Sequence, residues 1–176
     1  MNFLIKSGQG LKGEITIPGD KSISHRSIII PSISIGICEI NNILKSEDVF
    51  HTLNAFKNMG VKIEEKENKL IIHGKGLNSL QEAKNFIYLG NSGTSARLLT
   101  GLLSAQKFKS VLKGDSSLSK RPMKRISDPL SKMGAKINTT NGSLPLTIDG
   151  KNLTPSHINL EIPSAQIKSG LLLASL

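Results

Sequence analysis

The residues of this chain best suited to chemistry lie in one run, Gly19-Asp20-Lys21-Ser22-Ile23-Ser24-His25-Arg26. Small residues at such a turn let a ligand approach the backbone. The first N–H groups of a helix starting there have no internal partners and carry partial positive charge. A phosphate or carboxylate is the natural occupant. Lys21 adds a point charge and Arg26 a planar fork of donors. A Gly-Ser turn before a helix also serves as an ordinary cap, and Arg26 equally suits a structural ion pair. Ser24 and His25 resemble a nucleophile and its base, but adjacent helical residues do not face one another, so the pair is not read as catalytic.

The run has echoes. Gly90-Asn91-Ser92-Gly93-Thr94-Ser95-Ala96-Arg97 repeats its Gly, Ser and Arg at an offset of about 71 residues. Ser164-Ala165-Gln166-Ile167-Lys168-Ser169-Gly170-Leu171-Leu172 falls on Asn91 through Leu99 at an offset of about 73. A period this long predicts a repeated supersecondary unit inside a domain.

The elements that must position these turns repeat as well. Ser46 suits an N-cap, Glu47 and Asp48 suit a helix start, and Val49, Leu53 and Phe56 mark one helical face before Gly60. Val61 and Ile63, a turn at Asn68, then Leu70 and Ile72 predict a hairpin. The second copy places Pro122, just after Arg121, at a first helical position, with Ile126, Leu130 and Met133 as the apolar face. Pro129 predicts a kink or split in that helix, and Gly134 ends it. Ala135 and Ile137, the turn Asn141-Gly142, then Leu146 and Ile148 give a second hairpin. The expected class is α/β, with units reading strand, helix, strand, helix, hairpin: two complete and a third opening near Leu160. The chain would end inside an apolar helix, Ile167 to Leu176, whose face needs a partner, so the expectation is a piece of a longer protein.

Bulk properties narrow the function classes. Lys and Arg number 23 against 13 Asp and Glu, a formal charge of +10, which favours an anionic partner. Nucleic acid, phosphorylated metabolites and acidic membranes all satisfy charge alone, and an excess of Lys alongside Asn and Ile also follows from an AT-rich genome. Aromatics are 3% with no Trp, so the core must be aliphatic and stacking on single strands is disfavoured. Cys38 is the only cysteine, read as a packing residue in a strand, and no disulfide within the chain is possible. His25, His51, His73 and His157 lack metal-ligand spacing. Met1 to Lys12 lacks the apolar core of a signal peptide, and a cytoplasmic setting is expected. Gly8-x-Gly10-x-x-Gly13 lacks the strand-to-helix context of a dinucleotide fingerprint, and Asp48, Asp115 and Asp128 read as caps, turns and solvated faces.

Four stretches, in this order, resemble signatures of the 5-enolpyruvylshikimate-3-phosphate synthase family: Lys21 to Arg26, Leu89 to Leu99, Lys120-Arg121-Pro122-Met123, and Ser164 to Ser169. The similarity extends over essentially the whole chain. The resemblance implies a two-domain fold of βαβαββ units with the active site between domains. Residues 1–18 would form an opening strand of the other domain, and residues 19–176 most of one domain, cut in its third repeat. The implied reaction moves the enolpyruvyl group of phosphoenolpyruvate to the 5-hydroxyl of shikimate 3-phosphate, through a tetrahedral intermediate and with release of phosphate. It needs no metal or organic cofactor, and the family is typically monomeric.

The resemblance also assigns roles. Lys21 would contact both substrates, and Ser22 and Arg26 would hold shikimate 3-phosphate. Gly93 would approach phosphoenolpyruvate, with Asn91, Thr94 and Arg97 shaping that loop, and Arg121 would bind the same substrate. Ser164 and Ala165 would touch the shikimate phosphate, with Gln166 between the ligands. Lys21 and Arg121 are the candidates for catalysis; the family's acid and base residues fall outside this stretch. Leu98 stands where many members have Pro, and Ala165 where they have Ser, departures that bear on subgroup and on the response to glyphosate. Gly93 favours sensitivity. Rival readings are the sister enzyme acting on UDP-N-acetylglucosamine, which has Lys-Asn where this chain has Lys21-Ser22, and a basic nucleic-acid-binding module. The preferred reading has neither a nucleic-acid nor a membrane partner.

Overall fold

A computed structural model describes all residues except 1, 2, 5, 7, 9, 11 and 68. Asn68, expected in a turn, therefore lies outside the described residues, as does part of the expected opening strand. The described residues up to Gly19 enter no strand ladder.

Helix α1 (Lys21–Ile33) begins where Asp20 accepts a hydrogen bond from the Ile23 N–H at 2.7 Å. Strand β1 (Ile35–Asn41) follows, then helix α2 (Glu47–Asn58) and the hairpin β2 (Lys62–Lys66) and β3 (Lys69–Lys75). These strands make an antiparallel sheet in the order β1-β3-β2. Leu70 and Ile72 of β3 point to the core, as their alternation predicts. Gly74 of the same strand lets α1 press onto the sheet, since a Cβ there would stand 2.1 Å from the Pro31 carbonyl oxygen.

The second set is more complete: β4 (Ile87–Tyr88), α3 (Gly93–Ser104), β5 (Lys109–Lys113), α4 (Lys124–Lys132), β6 (Lys136–Thr140) and β7 (Ser143–Asp149). The four strands order as β4-β5-β7-β6, with β4 and β5 parallel and the remaining pairs antiparallel. Asn141 and Gly142 both take positive φ (51° and 76°), as a two-residue hairpin turn requires. Helix α5 (Ala165–Ala174) packs along α3. One largely aliphatic core joins both halves: Ile28 and Ile29 of α1, Leu53 and Phe56 of α2, Leu98, Leu99, Leu102 and Leu103 of α3, and Leu146 and Ile148 of β7.

Several expectations change. Pro129 neither splits nor ends α4; at the sixth position of a nine-residue helix it forfeits one backbone bond, and the flanking Ile126 and Leu130 are fully buried. Pro122 precedes the helix by two residues, and Arg121 closes a 3-10 turn at Leu118–Lys120. Leu160 starts no strand, because the stretch 151–160 has no ladder partner among the described residues. Ser46 is the residue before α2, but its hydroxyl makes no capping bond. Cys38 lies in β1 as expected, half-buried.

Candidate functional site

The three anion-type turns are spaced more evenly than their sequence echoes. Asp20, Ser92 and Ser164 each cap a helix, so α1, α3 and α5 start at equal intervals of 72 residues. The Ser92 and Ser164 hydroxyls accept from the N–H of Ser95 (3.2 Å) and Ile167 (3.4 Å), as Asp20 does from Ile23. Counted from its cap, Arg97 is fifth in its helix and Arg26 sixth. One residue rotates a side chain by about 100° around the helix axis. The two arginines that match in sequence therefore point in different directions.

Arg97 faces a cleft of about 520 Å³ that also collects Lys21, Asn91, Gly93, Thr94, Arg121, Ser164 and Gln166, together with Asp48 and Arg125. Arg26 lies outside that lining, in a groove between α1 and α5 with Ile29, Ile30, Leu98, Ser169 and Leu172. Ser22 and Ala165 sit exposed in the first turns of α1 and α5, also outside the lining. Eight of the residues singled out in the sequence are thus brought together, and three are not.

The cleft is held by short polar links. Lys21, at the first position of α1, ion-pairs with Asp48 in the first turn of α2. Arg121 donates to the Asn91 side-chain oxygen, while the Asn91 amide donates to Asp115 at 2.9 Å. Asp115 in turn accepts from the Leu118 N–H at 2.6 Å. That bond first, then the Asn91 amide, keeps the Asp115 carboxyl below its ordinary range. Arg97 donates to the Gly93 carbonyl at 2.9 Å and to the Pro122 carbonyl at 3.2 Å. Gln166 donates to Thr94 at 3.0 Å, tying α5 to α3. Gly93 is required by crowding: a Cβ would meet Arg97 Nη1 at 2.9 Å and Arg121 Nη1 at 3.1 Å.

Four cations (Lys21, Arg97, Arg121, Arg125) face one carboxylate (Asp48), so the cleft carries a net charge of +3. Burial, then the proximity of Arg121 and Arg125, lowers the Arg97 guanidinium from its ordinary pKa. It stays charged regardless. Such a cluster is costly unless an anion enters, and the bare first-turn N–H groups of α3 point to the same kind of guest.

Beneath the cleft lies a buried network. His25 Nδ1 is 2.8 Å from the Thr52 hydroxyl, which is 2.5 Å from Ser95, and Ser95 is 2.7 Å from Ser92. It joins α1, α2 and α3 behind their ligand-facing ends. Burial lowers the His25 pKa to about 4, against a smaller opposing pull from Asp48, so the imidazole is neutral near pH 7. Ser24 instead donates to the Asp20 carbonyl and accepts from the Leu44 N–H, so it does not engage His25.

A family model described as EPSP synthase (3-phosphoshikimate 1-carboxyvinyltransferase) matches residues 5–176. The chain belongs to this family. It is similar to the 3-phosphoshikimate 1-carboxyvinyltransferase of Legionella pneumophila (strain Lens), 54% identical over 178 aligned positions that cover 100% of this chain and 41% of the relative. That of Ruthia magnifica is 51% identical over 175 residues, 99% of this chain and 40% of the relative. The EPSP synthase of Acinetobacter baumannii superposes with a TM-score of 0.89 at 51% identity, covering 92% of this chain and 38% of the other. The chain thus spans about 40% of the length of the curated relatives it matches.

Two cleft residues had been given no site role from sequence. Asp48 read as a helix-start acid, because nothing local shows that Lys21, 27 positions earlier, lies beside it. Arg125 follows Arg121 in the basic stretch Lys120 to Arg125, and only the direction of α4 turns it to the cleft. No cluster of His, Cys, Asp and Glu able to hold a metal occurs among the described residues.

Proposed function

We propose that this cleft binds phosphoenolpyruvate and shikimate 3-phosphate, and that the full-length protein transfers the enolpyruvyl group to the 5-hydroxyl with release of phosphate. The observation that carries this reading is the +3 cleft at the starts of α3 and α5 in a member of the EPSP synthase family. Phosphoenolpyruvate brings a carboxylate and a phosphate. Fixed guanidinia and helix N-termini suit both, and they strengthen as charge develops on the departing phosphate.

In the reaction, the methylene carbon of phosphoenolpyruvate takes a proton while the 5-hydroxyl gives up its own proton and its oxygen bonds to C2. The tetrahedral adduct then loses a proton from the methyl carbon and expels phosphate, restoring the double bond. Lys21, Arg97 and Arg121 hold the phosphoenolpyruvate anion, and the Gly93 backbone leaves room for it. Gln166 stands between the two ligands, and Ser164 reaches the shikimate phosphate. Ser22, Arg26 and Ala165 belong to the shikimate 3-phosphate side, on the neighbouring surface of α1 and α5. Bringing two polyanions together in one orientation supplies much of the acceleration. The opening stretch to Pro18 belongs with a second domain that completes the cleft, and the protein works as a cytoplasmic monomer.

Phosphate release by the full-length protein tests this. It should require both substrates, and Lys21→Met should reduce kcat/KM at least about a hundredfold, as expected when a charge contact to the reacting anion is lost. Phosphate release that does not depend on shikimate 3-phosphate would sink the reading.

A further inference from the structure

Arg125 is the one cleft guanidinium with no stated task. Arg97 is engaged by the carbonyls of Gly93 and Pro122, and Arg121 by Asn91. Lys21 is paired with Asp48. Among the described residues Arg125 forms no ion pair, although Asp128 stands three positions further along α4, a spacing at which such pairs form readily. Asp128 is instead in contact with the Ser127 hydroxyl. Arg125 lines two adjoining spaces, the cleft and the groove between α4 and residues 158–162. It therefore stands where the cleft opens to solvent.

We propose that Arg125 is a specificity-determining residue for phosphoenolpyruvate, closing its exposed guanidinium on the phosphate of that substrate. This rests on the function proposed above. The charge demand supports it: the cleft must meet the carboxylate and phosphate of phosphoenolpyruvate and the phosphate of shikimate 3-phosphate as well, and Arg125 supplies one of its three net positive charges. Arg125 lies close enough to Arg97 to lower that group's pKa together with Arg121, so the three guanidinia form one cluster at the start of α3. Arg97 and Arg121 are fixed by their hydrogen bonds and form the rigid part of the clamp. Arg125 is free to swing and adds a contact only when the anion is present.

The test uses the full-length protein with Arg125→Gln and Arg125→Lys. Arg125→Gln should raise the KM for phosphoenolpyruvate about tenfold or more, the worth of one charge-assisted contact. The KM for shikimate 3-phosphate should stay within about twofold, and Lys should restore part of the loss, because it supplies the charge without the fork. An unchanged phosphoenolpyruvate KM in Arg125→Gln would overturn the proposal. So would an equal rise in both KM values, which would mark a structural role. If the wild type shows no transfer activity, the reading of function fails separately. Calorimetry with inorganic phosphate then decides Arg125 alone: weaker binding by Arg125→Gln supports an anion contact, and equal binding refutes it.

Discussion

Helices α3 and α5 cross almost backbone to backbone, which makes Gly101→Ala a sharp test of how the cleft is held. A Cβ on Gly101 would lie 1.9 Å from the Gly170 carbonyl oxygen, 2.6 Å from its carbon and 2.9 Å from its Cα. Ordinary contact begins near 3.4 Å, and none of these atoms can rotate away, so the helices must part by about 1.5 Å. Overpacking of this kind costs about 1–3 kcal/mol, and a backbone clash on the mostly buried α3 puts this case at the upper end. Alanine returns up to about 1 kcal/mol through its better helix propensity. The net loss should be about 2 kcal/mol, which lowers Tm by roughly 4–8 °C in a domain of this size.

The same movement reaches the site. Separation of about 1.5 Å would take the Thr94–Gln166 hydrogen bond beyond its range, and it would move Ser164 and Gln166 away from Gly93 and Arg97. KM should therefore rise for both substrates. Gly170→Ala is the graded companion: its Cβ would meet the Arg97 carbonyl oxygen at 2.7 Å and the Ile126 Cδ1 at 3.0 Å, a milder clash. Urea and thermal unfolding should rank wild type above Gly170→Ala above Gly101→Ala. A Tm for Gly101→Ala equal to or above wild type would refute the reasoning.

At Gly93 the contrast is between fold and function. The atoms that a Gly93→Ala methyl would meet are the side-chain ends of Arg97 and Arg121, not backbone, so the shift disturbs their hydrogen bonds in the cleft more than the fold: Tm should move by no more than about 2 °C, while the KM for phosphoenolpyruvate rises and glyphosate inhibition weakens; unchanged inhibition counts against the crowding argument. Asn91→Ala should leave stability within about 1 kcal/mol yet free Arg121 from Asp115's chain of contacts, raising the phosphoenolpyruvate KM about fivefold, as read by steady-state kinetics. His25 predicts an acid-side loss of stability. Its pKa falls from 6.5 to about 4 on folding, so between those values the unfolded chain takes up a proton that the folded chain refuses. Stability should fall by up to about 3 kcal/mol as pH drops through that window. Urea midpoints of His25→Gln should show a flatter slope there than wild type, and equal slopes would dismiss the account.

What the sequence made legible was local chemistry. The starts of α1, α3 and α5 follow from their turns and capping side chains. The hairpins follow from period-two alternation and from Asn141-Gly142, whose backbone angles are those this pair favours. Less legible was anything that depends on register between distant elements. The echoes near 71 and 73 concealed a cap spacing of 72, and that single residue decides that Arg97 faces the cleft while Arg26 faces the α1–α5 groove. Asp48 and Asp115 illustrate the same limit. Each is a plausible cap when read alone, and each serves the site through a partner far away in the chain.

The geometry explains why such a site needs so much apparatus behind it. Three guanidinia gathered at one helix start repel one another, and Asp48 relieves only Lys21. The order of these side chains comes from the carbonyls that fix Arg97, the Asp115–Asn91 chain that fixes Arg121, and the buried hydroxyls that join α1, α2 and α3. Those bonds oppose the outward swing that repulsion favours. A neutral His25 fits this role, because a second buried charge under the cleft would add to the repulsion; its low pKa is thus a consequence of the same packing that keeps the cations in place. Gathering like charges in this way costs folding stability, and these bonds hold the cations in a fixed arrangement suited to an anionic guest.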